Sequence, residues 1–478
     1  VAAAVNLADY PLTRPLQALA VYMPLRERFG FSVNAFVACI GSINTYYRPG
    51  EPSFFEEMFG GDDFLNTRLY LSPPRDDTPS QAARAILCRG LGISADVLIT
   101  LARLLPGVIN DGAANGYVLP ALDRTHVDAL YRLVAIPRLF GLMPEEALRL
   151  WDLLNAPGVI AQSLARQDRP VAAALAALER TGYLVDWMQR EGLDAPHLIA
   201  MTHRDYRQVA TPELQSFIQN IYTTLGGPGS EGRDEPTLRD LLSRHIGAQF
   251  GLKPATSLRL IEWMDKVAAR LNPVFTGYSV LKFWEQIQAA AGAGAMSLTA
   301  LEIEDSQLVQ YANLLGQFAL LCHWAQLSEQ DLELVMPGPS PSSPLTGQIL
   351  APLPDLPFLL LLSRYRQWQK LLVLPVAEGR RYLQRAALGE FISSADTAKE
   401  LALLHGWDEI QVRSYLASLN FTPKSFHELY PLIARMQLAQ KLRQSPTDLA
   451  LLDVLAGLIP NQNMLKQFAA NILAAAHA

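Results

Sequence analysis

Charged side chains are scarce in this sequence: Asp, Glu, Lys and Arg make up 18% of its 478 residues, where an average globular chain carries roughly 25%. Lys and Arg number 40 against 46 Asp and Glu, for a formal net charge of −6. That balance argues against a nucleic-acid binder, which needs a basic stripe to neutralise phosphates and release counterions. The densest basic run, Arg380, Arg381 and Arg385, has helical spacing and reads as a solvated helix face. Cysteine is rarer still. Cys39, Cys88 and Cys322 lie far apart in apolar helical text, which points to buried thiols and away from a disulfide framework or a metal cluster.

Long apolar runs are also missing. Pro, Asp or Arg interrupts every stretch, Phe358–Leu362 included, before it reaches the ~18 to 20 residues of a membrane span, so direct membrane insertion by this chain is not expected. The chain starts at Val1 without an initiator Met and lacks the basic, apolar and small-residue order of a signal peptide. With its Ala-rich end, this suggests a fragment of a larger protein.

What the sequence does contain is one short phrase written six times: an apolar residue, then Ser, Thr or Asp, then three residues, then another apolar residue. The instances are Phe31-Ser32…Phe36, Ile93-Ser94…Leu98, Leu193-Asp194…Leu198, Leu327-Ser328…Leu332, Trp407-Asp408…Val412 and Phe421-Thr422…Phe426. Each resembles a helix start, in which the polar side chain accepts from unpaired first-turn N–H groups and the apolar pair fixes the angle of entry. Between them the helical period dominates. Phe358, Leu361, Leu362, Tyr365, Trp368 and Leu372 fall on one stripe, and similar stripes occupy 126–142, 171–190, 307–324, 397–419 and 426–456. No strand alternation extends beyond a few residues.

Helix stops are marked by Pro106-Gly107, Asn155 to Gly158, Gly226 to Gly229 and Pro337-Gly338-Pro339. The expected architecture is all-α, an irregular elongated stack of helices without the fixed clock of common helical repeats. A helical block over 1–336, with loops near 107–124 and 226–236, precedes a Pro/Ser/Gly-rich loop or linker at 337–357 and a second helical block at 358–478.

Motifs that would carry chemistry are incomplete. Gly227-Pro-Gly229-Ser-Glu-Gly232 spells the dinucleotide fingerprint, yet the text before it, Leu214 to Leu225, is helical where a strand is required. His427-Glu428 opens like a zinc-protease helix, but Pro431 stands where the second His is needed. Asp62-Asp63-Phe-Leu-Asn66 and Asp76-Asp77 resemble carboxylate clamps without the third carboxylate. No phosphate-binding Gly-Lys-Ser/Thr loop and no Gly-x-Ser-x-Gly elbow occurs. His323 beside Trp324 sits in apolar text, and any buried histidine among the eight could respond to pH. No catalytic, cofactor-binding or metal-binding residue is therefore assigned, and no cofactor is expected.

Three stretches resemble the helical shell of the A subunit of bacterial Tc toxins, the virulence plasmid A protein family. They are Ile43-Asn-Thr45 with Ser53 to Phe59; Leu130-Tyr131-Arg132-Leu133 through Pro137-Arg138-Leu139-Phe140-Gly141-Leu142; and Phe358 through Ser363-Arg364-Tyr365-Arg366-Gln367-Trp368 to Gly406-Trp407-Asp408 and Leu449. The resemblance implies a secreted bacterial toxin component that assembles as a pentamer, whose shell encloses a translocation channel, with the toxic enzyme carried by other components. It implies as partners further regions and copies of the A subunit and, through the complete assembly, toxin B/C components and a host receptor. The expected role is structural and not enzymatic. It rests on the caps Ser94, Asp194, Ser328 and Asp408 and on the apolar anchors Trp151, Trp324, Trp368 and Trp407. A cytosolic α-solenoid that binds protein partners and an all-helical enzyme are the alternatives.

Overall fold

One kind of turn recurs wherever two helices meet at a staple phrase, and its first half lies one residue upstream of the phrase. Gly30, Gly92, Gly192 and Gly406 stand immediately before Phe31, Ile93, Leu193 and Trp407, and all four have φ between 64° and 67°. Such a left-handed residue stops a helix, and the next residue bonds back across the last turn: Ile93 N–H donates to Cys88 O at 3.0 Å, Leu193 N–H to Met188 O at 2.8 Å and Trp407 N–H to Ala402 O at 3.1 Å. The same apolar residue then precedes the cap of the following helix. Ser32, Ser94, Asp194, Ser328 and Asp408 each accept a first-turn N–H, from Ala35, Val97, His197, Asp331 and Gln411. Phe36, Leu98, Leu198, Leu332 and Val412 complete the five phrases as fully buried side chains.

The computed structural model describes residues 13–46, 50–72, 77–112, 116–166, 170–206, 212–225, 234–292, 307–338, 340–391, 393–419, 422–442 and 445–446. Among these, the chain forms 21 α-helices and a single three-stranded sheet, an all-α fold as expected. It divides into two compact units, Val1–Ala200 and Met201–Ala478. The division falls at 200/201 and not in the 337–357 segment, which lies inside the second unit.

In the first unit, α1 (Thr13–Phe29), α2 (Val33–Ile40) and α3 (Phe54–Phe59) precede α4 (Thr78–Leu91) and α5 (Ala95–Ala102). Then come α6 (Arg124–Leu139), α7 (Pro144–Leu154), α8 (Val159–Ala165), α9 (Pro170–Glu191) and α10 (Ala195–Thr202), the last of which reaches the unit boundary. Helix α6 is the axis of the unit. It is buried from His126 through Val134 and packs on α2, α7, α8 and α9, so along that stretch no face of it is left for solvent. The expected loop at 107–124 is partly a sheet: β1 (Leu69–Ser72), β3 (Tyr117–Leu119) and β2 (Ile109–Asn110) pair antiparallel in that order. Leu69 faces Leu119 and Tyr70 faces Val118, with a bulge before Ser72.

The second unit begins with α11 (Pro212–Leu225), α12 (Glu235–Phe250) and α13 (Pro254–Leu271), then α14 (Val280–Gly292), α15 (Gln307–Ala325) and α16 (Glu329–Val335). It continues with α17 (Leu356–Gln369), α18 (Val376–Ala387), α19 (Ser394–His405), α20 (Glu409–Leu419) and α21 (Phe426–Leu442). Trp263 on α13 is fully buried, its ring 4.6 Å from Phe318 and 5.5 Å from Phe358.

The Pro/Ser/Gly segment is bonded on all sides. Ser343 Oγ donates to Leu334 O at 2.8 Å, Trp263 Nε1 donates to Pro352 O at 2.9 Å and Arg270 Nη1 to Ala351 O at 2.6 Å. It also sets the start of α21. Phe426 N–H donates to Pro344 O and His427 N–H to Leu345 O, while Ser425 Oγ accepts from Glu428 N–H. Helix α21 is therefore capped by Ser425 and not by Thr422; Phe421 lies outside the described residues.

The turn between α15 and α16 provides a test, because Gln326 occupies the left-handed position there with φ 51°, where an L side chain costs about 1–2 kcal/mol. Chemical denaturation should show Gly192→Ala destabilising by about 1–2 kcal/mol and Gln326→Gly neutral or slightly stabilising. Equal losses from both changes would contradict this reading of the turn.

Candidate functional site

Since helices are short, side-chain charge is drawn to their ends. In the first unit Arg132 of α6 is 2% exposed, and its guanidinium donates to Leu164 O (2.9 Å), Gly41 O (3.0 Å) and Arg166 O (3.4 Å). These carbonyls lie at or just beyond the C-termini of α2 and α8, where unpaired C=O groups and the helix dipole favour a cation. Burial pulls the Arg132 guanidinium below its ordinary value, and the charge of Asp128 opposes that pull. Asp128 is buried too, which pushes its carboxyl up against the opposing hydrogen bond it accepts from Ile43 N–H at 2.9 Å. One turn and a half later, Arg138 donates to Leu91 O and Gly92 O at the end of α4. Thus both arginines of the Leu130–Leu142 motif close the ends of neighbouring helices.

In the second unit the central group is Asp331, on the first turn of α16. Its Oδ2 accepts from Ser328 N–H (2.9 Å), Ser328 Oγ (2.6 Å) and Arg380 Nη2 (2.9 Å); its Oδ1 accepts from Tyr365 Oη (2.8 Å), Gln369 Nε2 (3.1 Å) and Arg380 Nε (2.7 Å). A single carboxylate thereby joins α16, α17 and α18. Burial pushes its pKa up, but the hydrogen bonds from Arg380, Ser328 and Tyr365 outweigh burial and hold it below the ordinary value. The Tyr365 hydroxyl is raised in turn, first by burial and then by the Asp331 charge.

This geometry corrects the reading of 380–385 as a solvated face. Arg380 forms a forked ion pair with Asp331, and Arg385 pairs with Glu390 (2.8 Å) and Glu400 (3.2 Å). Arg381 remains largely in solvent, 3.9 Å from Glu378. Spacing along α18 cannot reveal a partner that arrives from 49 residues away.

The tryptophan anchors divide into two kinds. Trp151 and Trp368 are buried, donating from Nε1 to Thr181 Oγ1 (2.8 Å) and to His405 Nε2 (2.7 Å). Trp324 and Trp407 are only half-buried. The Arg366 guanidinium lies over Trp324 at 5.6 Å, and Trp407 stacks on the His405 ring with centroids 3.9 Å apart.

Other sequence candidates take local roles. Asp62 pairs with Arg124 at 3.0 Å, and Asn66 adopts a left-handed turn. Glu428 Oε2 accepts from Lys424 N–H at 2.7 Å. Asp77 precedes α4 without a side-chain cap bond, whereas Asp76 and the Gly227–Gly232 motif lie outside the described residues. Cys39 and Cys322 are buried and Cys88 half-buried, all as free thiols, and burial pushes Cys39 up to about 12. His323 is exposed in spite of its apolar neighbours. Among the described residues no group of three or more His, Cys, Asp or Glu side chains is placed to hold a metal ion.

His405 has a defined protonation state. Leu401 O can only accept, so Nδ1 at 3.0 Å carries the proton; Trp368 Nε1 can only donate, so Nε2 is bare. Burial pulls the imidazole down to about 4, against the weaker opposing effect of the Leu401 bond. Its folded value therefore lies below the ~6.5 of an unfolded chain, so its stabilising contribution is full above about pH 6.5 and is lost as pH falls toward 4. The denaturation midpoint of the second unit should fall across that window, and His405→Asn should flatten the fall. Superimposable pH profiles would contradict the neutral-histidine assignment.

No family model matches the chain. A curated relative, Toxin subunit YenA1 of Yersinia entomophaga, is 27% identical over 165 residues, which is 33% of this chain and 14% of that protein. Two solved structures share the fold. The Yersinia pseudotuberculosis TcaA-TcaB structure superposes over 99% of this chain with a TM-score of 0.58 at 23% identity, and Morganella morganii TcdA4 over 96% with a TM-score of 0.60 at 16% identity. The chain corresponds to 22% and 19% of those two chains, so it spans less than a quarter of each. The chain carries the fold of a Tc toxin A-subunit-like helical region.

Proposed function

We propose that the chain is a structural part of the helical shell of a toxin complex, enclosing and protecting a translocation channel while other components carry the toxic enzyme. The observation that carries this reading is the fold likeness to TcaA-TcaB and TcdA4 over nearly the whole chain. The side-chain chemistry agrees with it. Arg132, Arg138, Asp331 and Arg380 are each engaged with helix ends or with one another, which builds a wall and leaves none of these four groups for a substrate.

Within this reading the chain has no catalytic role and works outside the bacterial cell. It meets other regions and copies of its own subunit in a pentamer, and it meets toxin B/C components and the host receptor only through the complete assembly. Membrane entry belongs to another part of the subunit. Among the described residues no single helix is long and apolar enough to cross a bilayer; α4 and α5 reach that composition only together, across a 98° bend, and Leu87, Leu91, Leu98 and Leu101 of that pair are core residues.

Cryo-electron microscopy of the complete subunit that contains these residues tests the proposal. Residues 1–478 should lie in the outer wall of the assembly, clear of the channel bore. Finding them lining the bore, or at the end that enters the membrane, would overturn it.

A further inference from the structure

The second unit buries a hydroxyl that its own residues leave unanswered. Tyr382 of α18 is 3% exposed, and among the described residues none forms a hydrogen bond with its Oη. A buried polar atom without a partner carries the full cost of its lost hydration, and native structures pair the large majority of such atoms with protein or with ordered water. The phenol does not avoid that cost by turning outward. Its ring is stacked on the buried Phe391 ring, with centroids 5.1 Å apart and planes 25° from parallel.

Packing alone does not call for the hydroxyl, because a phenylalanine would present the same ring to Phe391. What stands around it is charged. The Arg385 guanidinium lies over the Phe391 ring at 4.8 Å, and it donates from Nε to Glu390 Oε2 at 2.8 Å and from Nη1 to Glu400 Oε1 at 3.2 Å. Glu400 stands on α19, and its charge reaches Tyr382: burial first and Glu400 second push the phenol above its ordinary value. The second oxygen of Glu400 keeps its capacity to accept. A buried donor and a carboxylate with a spare acceptor thus stand on neighbouring helices, within electrostatic reach of each other and without a direct bond.

The chemistry of the surroundings decides what can answer the hydroxyl. An anion is repelled by Glu390 and Glu400. A cation gains little, because Arg385 already pairs with both carboxylates. A neutral molecule that accepts from a phenol and donates to a carboxylate fits, and water is the smallest of these. Internal waters bond to buried polar groups that the protein leaves unpaired, and a bridging water is enthalpically nearly as good as a direct hydrogen bond.

We propose that Tyr382 Oη donates to one internal water molecule, which donates in turn to the Glu400 carboxylate, so that α18 and α19 are joined through this water beside the Arg385–Glu400 ion pair. The inference stands independently of the shell reading, because it concerns a binding site for water inside the second unit.

The sign of one substitution tests it. If water answers the hydroxyl, Tyr382→Phe in the full chain removes a made bond and should raise the unfolding equilibrium constant about fivefold in urea. If the hydroxyl is unpaired, the same change removes a penalty, and an unchanged or lowered constant overturns the proposal. A crystal structure of the unsubstituted chain, at a resolution that shows ordered water, reads the site directly. A water within about 3.0 Å of Tyr382 Oη and in reach of Glu400 supports the bridge. A dry hydroxyl overturns it, and so does a direct bond from Tyr382 Oη to Glu400. Should Tyr382→Phe fail to fold, the crystal structure alone decides.

Discussion

A chain built from many short helices consists largely of helix ends, and every end leaves backbone N–H or C=O groups without an intrahelical partner. In this protein several capping and charged side chains are placed where those groups appear. Ser32, Ser94, Asp194, Ser328 and Asp408 meet the donors, and Arg132 and Arg138 meet acceptors. Asp331 goes furthest. It closes the first turn of its own helix and, with the same two oxygens, receives Tyr365, Gln369 and Arg380 from the next two helices. Local termination and long-range packing are there the same interaction.

That economy explains how an irregular stack holds a defined shape without a repeat. An exposed ion pair contributes roughly 0–1 kcal/mol, too little to fix three helices. Removing one partner of a buried pair costs about 3–5 kcal/mol, because the other charge is stranded. Asp331 and Arg380 are 5% and 19% exposed at the side chain, so they lie near the second regime. The segment around Ser343 works in the same way with neutral groups: it donates to the end of α16 and lends the carbonyls of Pro344 and Leu345 to the start of α21.

Local signals were legible in the sequence and partners distant in the chain were not. Five staple phrases marked true helix starts because cap and staple involve residues within one turn of each other. The sixth failed because the start of α21 is set by carbonyls some eighty residues earlier. The glycines ahead of the phrases carried an equally local signal of where the preceding helix stops. Arg380 looked solvated because α18 alone cannot show Asp331, and Arg132 could have been singled out as a lone cation between Tyr131 and Leu133 in a stripe buried on every side. The small sheet escaped because strands of two to four residues are too short to establish a period. Trp324 and Trp407 were taken as buried anchors on residue type alone, whereas each uses one face against a neighbour, Arg366 or His405.

The claim that one buried carboxylate organises the second unit is tested most directly by a double-mutant cycle. Asp331→Asn, Arg380→Gln and the double variant of the full chain would be unfolded in urea and followed by tryptophan fluorescence, which reports on Trp368 beside the knot. A coupling free energy of about 2 kcal/mol is predicted, within the range of contacting residues that share a hydrogen-bond network. Additive effects, with a coupling no larger than about 0.5 kcal/mol, would contradict it and reduce the Asp331–Arg380 pair to an incidental contact.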